Sequence, residues 1–175
     1  MLAAAAIVMN TDGLIVFAAD STVLANIPYS TALDAALAQL SEVTGVVATV
    51  TVHPGDEHCV PETTRYDLGG LVLSTPSRSP EAQFSVRVEA AGLATGVDLQ
   101  FTNGMQVGSS LDEVRSAIPG IRTEAWPDGV VVAYFDLRGD LDDYSSNSDP
   151  YGGLAVVRDG VVVSFSAPHH HFYDC

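Results

Sequence analysis

Apolar residues recur along this chain in two rhythms. Leu33, Ala36, Leu37 and Leu40 follow one another at spacings of three and four, which makes one stripe and predicts a helix from about Thr31 to Val43. Ser30 or Thr31 suits its N-cap and Gly45 its stop. Elsewhere the apolar runs are short and bounded by turn residues. Residues 6–9 and 14–17 flank Asn10-Thr11-Asp12-Gly13, the pattern of a β-hairpin. Residues 46–52 predict a strand ended by His53-Pro54, and residues 64–68 and 71–73 flank the pair Gly69-Gly70. In Phe84-Ser85-Val86-Arg87-Val88 apolar and polar positions alternate, so one face is buried and the other wet.

The second half repeats this order. Residues 97–101 run into the turn Thr102-Asn103-Gly104. A helix then opens at Ser110, with Glu113 completing a capping box and Leu111, Val114 and Ile118 forming the stripe, until Pro119-Gly120 ends it. Asp112 and Glu113 stand near the positive end of the helix dipole. Residues 130–135 form a strand, and residues 152–157 and 161–165 flank Arg158-Asp159-Gly160 in the strongest hairpin signal of the chain. Tyr29-Ser30-Thr31-Ala32-Leu33-Asp34 aligns with Gly108-Ser109-Ser110-Leu111-Asp112, and Gly69-Gly70-Leu71-Val72-Leu73 with Gly152-Gly153-Leu154-Ala155-Val156. A repeat of about 80 residues is too long for a solenoid and suits tandem duplication. The expected fold is therefore α+β. It would have two diverged tandem repeats, residues 1–92 and 93–175, each a helix packed on a small antiparallel sheet, together forming one unit.

Composition narrows the function classes. The 175 residues are 47% hydrophobic, enough for a substantial core and against disorder. No apolar stretch is long enough to span a membrane. Residues 1–8 are apolar but lack the basic flank of a signal peptide and meet a turn at once, so they read as the lead-in to a strand. The chain has seven basic residues, all Arg, against 22 acidic ones, a formal charge of −15. That balance disfavours nucleic acid and anionic membranes. A solvated acidic surface is the plain explanation; a cation site or a face for a basic partner is the sharper one.

The cysteines are Cys59, in a polar loop, and Cys175, the last residue. A disulfide between them would pin the terminus, and closing so long a loop stabilises a fold by about 4 kcal/mol in the chain-entropy picture. With the absence of Lys and the acidic surface, that pairing points to an extracytoplasmic location.

The candidate chemistry is sparse. Such a disulfide would bring His58 near His169, His170 and His171, imidazoles that suit Zn²⁺ or Cu²⁺, but their spacing matches no zinc motif. Asp140, Asp142, Asp143, Asn147 and Asp149 offer the hard oxygens that Ca²⁺ takes, although the run is not an EF-hand loop and also reads as a solvated connection. There is no nucleophile elbow and no phosphate-binding glycine loop. Trp126, the only Trp, lies in a turn before a strand, where it either folds onto the core or anchors a partner.

The helix opening at Gly108-Ser109-Ser110-Leu111-Asp112-Glu113-Val114, the Gly152-Gly153-Leu154 strand, the Arg158-Asp159-Gly160 hairpin and the near-terminal cysteine resemble uncharacterised secreted or lipid-anchored proteins of actinobacteria. The architecture is also similar, more weakly, to the tandem helix-and-sheet repeats of the β-lactamase-inhibitory protein family. It departs from that family in having one clear helix per half and no disulfide within each half. Neither resemblance transfers a functional residue.

The function expected is an extracytoplasmic, non-catalytic binding module with a protein partner and with Trp126, Tyr144, Tyr151 and the acidic 140–149 loop as contact residues. A Ca²⁺- or Zn²⁺-binding envelope protein is the alternative, and a small hydrolase assembled from distant residues is the third.

Overall fold

A computed structural model of the chain describes residues 3–55, 61–75, 82–138 and 151–170. The first hairpin forms where the apolar pattern places it, β1 (Ala4–Met9) against β2 (Gly13–Ala18). Asn10 closes its turn, its side-chain oxygen accepting the N–H groups of Asp12 and Gly13 at 2.8 Å each. β3 (Val23–Pro28) adds to β2, and α1 (Leu33–Thr44) follows. The helix ends as expected at Gly45, left-handed at φ 71, whose N–H donates to the Ser41 carbonyl. Its start differs: Ala32 is the N-cap, and neither Ser30 nor Thr31 caps it.

After α1 the chain makes four antiparallel strands in succession. These are β4 (Thr49–His53), β5 (Thr63–Asp67), β6 (Leu71–Thr75) and β7 (Ser85–Val88). β8 (Asp98–Phe101) leads to the short α2 (Leu111–Ala117), whose capping box is complete. Ser110 accepts the Glu113 N–H through its hydroxyl, and the Glu113 carboxylate accepts the Ser110 N–H. Four more antiparallel strands follow α2: β9 (Arg122–Ala125), β10 (Val131–Arg138), β11 (Tyr151–Arg158) and β12 (Val161–His170).

The two series of strands fuse. β7 pairs antiparallel with β12, Val88 opposite Phe165 and Val86 opposite Ala167, to give one eight-stranded sheet ordered β4-β5-β6-β7-β12-β11-β10-β9. The other sheet is four-stranded, β3-β2-β1-β8, with β8 parallel to β1. A single main core joins both sheets to both helices. It draws Ile7, Met9, Leu14 and Val16 from the small sheet and Leu71, Leu73, Phe84, Phe135 and Phe165 from the large one or its margin, with Ala36 and Leu40 of α1 and Val114 of α2.

This overturns the expected α+β architecture of two tandem units, each a helix on its own small sheet. Among the described residues the protein is mostly β, twelve strands in two sheets with two α-helices. Two causes are visible. β3 and β9 show no alternation, β9 being exposed at all four positions, so periodicity undercounts the strands. And β8, whose position in the chain suggests the opening of a second unit, completes the first sheet instead. The matched glycine pairs also differ in role. Gly69-Gly70 makes the β5–β6 turn with φ of 87 and 112, whereas Gly152-Gly153 lies inside β11.

Candidate functional site

Among the described residues the large sheet ends in two edges of opposite character. At one edge, β9 leads into Trp126, whose N–H donates to the Val130 carbonyl at 2.8 Å and closes a tight turn. Pro127 opens that turn, and Asp128 and Gly129 complete it with φ of 74 and 72. The turn fixes the backbone at this corner, and Trp126 remains 54% exposed.

Behind it, Val132 and Tyr134 alternate with the core-facing Ala133 and Phe135. With Leu154 they form a second, small apolar cluster to which Val130 and Val156 add. Tyr134 donates its phenol to Glu124 at 3.3 Å. Burial, then the Glu124 carboxylate, holds its proton well beyond the usual phenol range, against a weaker pull from Arg122. This ties β9 to β10 by a side-chain bond, with Tyr134 opposite Arg122 at the end of β9 away from Trp126.

At the opposite edge, all five residues of β4 are exposed. Val50 and Val52 are 56% and 54% exposed, and Val47 just before the strand 81%. Between β4 and the centre of the sheet, Arg65 of β5 and Arg87 of β7 both contact Oε1 of Glu89, at 3.1 and 3.0 Å. The groups are part-exposed, so this network contributes little stability, but it leaves two guanidinium groups sharing one carboxylate.

Of the contact residues expected from the sequence, Trp126 and Tyr151 are described, and they stand apart. Tyr151 pairs with Arg138 at the far end of β10 from Trp126, about 23 Å away at the usual strand rise. Tyr144 and the oxygen-ligand candidates Asp140, Asp142, Asp143, Asn147 and Asp149 lie outside the described residues, as do Cys59, Cys175, His58 and His171. His53 ends β4, and His169 and His170 end β12 at the same end of the sheet, four strand spacings or about 19 Å away. Among the described residues no three His, Cys, Asp or Glu side chains come together as a metal site. The β4 edge is the feature the sequence reading missed. Its signal was present as a run without Asp, Glu, Lys or Arg from residue 43 to residue 55.

No described helix is long and apolar enough to cross a membrane, which says nothing of strands. Comparison of the chain with protein-family models, with curated proteins and with solved structures found no match.

Proposed function

We propose that the protein is an extracytoplasmic, non-catalytic binding module whose contact with a protein partner centres on Trp126. The observation that carries this reading is a single indole standing half-exposed on a hydrogen-bonded turn at a sheet edge. A large aromatic side chain with only two rotatable bonds, on a backbone fixed by a turn, loses little freedom on binding, and such residues dominate interface energetics. Charged Arg122 and Glu124 on β9 and an adjoining apolar cluster at Val130–Tyr134 give that anchor a polar rim and a firm base.

The extracytoplasmic part of the reading rests on the Cys59–Cys175 disulfide. Thr63 begins β5 and His170 ends β12 at one end of the sheet, three strand spacings or about 14 Å apart. Cys59 stands four positions before Thr63 and Cys175 five positions after His170. Those lengths let the two Cα atoms come within the roughly 7 Å that a disulfide requires.

The test is an aromatic photo-crosslinking residue at position 126, a diazirine-bearing phenylalanine that keeps a large ring there, in the native host, with a matched probe at exposed Asp112 on α2 as control. A discrete adduct at 126 and none at 112, lost to competition by unlabelled protein but not by its Trp126→Ala variant, is the expected result. Equal adducts at both positions would dismiss the Trp126 surface. Intact mass without reductant, expected 2 Da below the dithiol by loss of two hydrogens (about 1 Da each), tests the disulfide. Two titratable thiols in the folded protein would remove the argument for the compartment.

A further inference from the structure

Native edge strands carry protection against pairing with other chains: inward charges, proline, bulges, or very short length. Three of the four sheet edges here have it. β9 bears Arg122 and Glu124. β3 ends in Pro28, and its register against β2 shifts between Val16 and Phe17. β8 is only four residues long and begins with Asp98.

β4 has no charge, proline or bulge within its five residues; Pro54 only follows its last residue and leaves Thr49–His53 open to pairing. Thr49-Val50-Thr51-Val52-His53 holds a continuous register against β5 with no bulge, every residue is exposed, and β-branched side chains fill four of the five positions. No described strand pairs with its outer side, whose backbone donors and acceptors are a template for another strand.

The strand is also complementary to itself. Turned antiparallel about Thr51, it sets Thr49 opposite His53 and Val50 opposite Val52, so both valines of each copy meet valines. Val50 and Val52 lie on the side of the sheet that faces the core, since Val50 is paired with Tyr66 and Tyr66 packs against that core. Half of each valine is nevertheless left open to water. Charge points to the same occupant. Two chains of net charge −15 repel over most of their surface, but residues 43–55 carry no Asp, Glu, Lys or Arg, so the copies can approach there.

We propose that β4 pairs with β4 of a second copy, antiparallel and centred on Thr51, joining the two large sheets edge to edge in a symmetric dimer. The interface is isologous, as two-fold dimers require. It is independent of the Trp126 surface. The two lie at opposite edges of the sheet, seven strand spacings or about 34 Å apart, so the dimer carries its two indoles at its far ends.

Sedimentation equilibrium of the full chain from micromolar to millimolar concentration tests this. The expected result is a reversible doubling of mass that strengthens with added salt, because salt screens the repulsion between copies. Val50→Lys and, separately, Val52→Lys should each weaken association at least tenfold. Both positions are more than half exposed, so the dilute monomer should stay folded, its melting temperature falling by no more than a few degrees. In a background with Cys59 and Cys175 replaced by Ser, Thr51→Cys should give a covalent dimer with a short bis-maleimide far faster than a cysteine at Asp112. A monomer throughout the concentration range overturns the proposal. So does a dimer that both lysine variants leave intact, because it would be held by another surface. A dimer that fails to form leaves the Trp126 crosslink to be judged by its own result.

Discussion

The ring of Phe135 on β10 lies across Gly153 on β11, so that a Cβ added to the glycine would fall directly onto the ring. The same ring is 4.3 Å from Phe101, centroid to centroid, and Phe101 in turn stacks on Phe165 at 5.6 Å and 16°. Because Phe101 belongs to β8, this aromatic group joins the small sheet to the large one. Gly153 is the space that admits it.

Gly153→Ala should therefore destabilise the protein by about 1–3 kcal/mol, the usual cost of overpacking a filled core. The double variant with Phe135→Leu should recover part of the loss, because the smaller side chain gives up the ring edge. Urea unfolding of the three proteins measures this. An alanine variant as stable as the parent would mean that the ring moves aside freely.

Tyr29 is buried and donates its hydroxyl to the Asn10 carbonyl at 2.9 Å, linking the end of β3 to the first turn. Burial, then the Asp12 carboxylate, holds its phenol proton well above the ordinary value of 10.0. In the unfolded chain the phenol ionises near that ordinary value. The contribution of Tyr29 to stability is thus full below pH 10 and falls as the pH rises beyond it. Absorbance titration should show a late fraction of the six tyrosines ionising only as the protein unfolds. Tyr29→Phe should cost about 1 kcal/mol at neutral pH and blunt the alkaline loss of stability. Six tyrosines titrating together while the fold persists would contradict the burial.

The Ser164 hydroxyl on β12 is buried and meets no hydrogen-bond partner among the described residues. Replacing such a group by a methyl removes an uncompensated desolvation and breaks no bond. Ser164→Ala should leave stability unchanged or raise it by up to about 1 kcal/mol, read from the urea midpoint at constant m-value. A loss larger than about 1 kcal/mol would show instead that the hydroxyl is satisfied, by water or otherwise.

The capping box of α2 predicts an acid response. The Ser110 N–H and hydroxyl hold the Glu113 carboxyl below its ordinary value of 4.5. Its contribution is present above that value and fades as the pH falls through the lower folded one. Ser110→Ala should cost about 1 kcal/mol at neutral pH. It should also remove part of the acid sensitivity below pH 4.5, which thermal melts from pH 6 to pH 3 would reveal. Parallel stability curves for parent and variant would detach the box from the acid limb.

Much of the local structure can be read from neighbouring residues, because the forces that set it act within a few positions of the chain. Asn10 closes its own turn, Gly45 stops α1, Ser110 and Glu113 cap α2, and Asp159-Gly160 turns β11 into β12 with both residues at positive φ. Which strand lies beside which is a different matter. Leu99 and Phe101 are apolar whether β8 opens a new unit or pairs in parallel with β1, and their places opposite Ile7 and Met9 are set only in the tertiary structure. The same holds for the two contact surfaces. The apolar, uncharged residues around β4 would read identically in a buried strand, and the exposure of Val50 and Val52 follows from β4 lying last in the sheet. Trp126 could be assigned to a turn from Pro127-Asp128-Gly129, but its outward position depends on β9 being the other edge. Turns and caps are decided by short-range hydrogen bonds and backbone sterics, whereas edges, partners and exposure are decided by which apolar faces find one another across the whole chain.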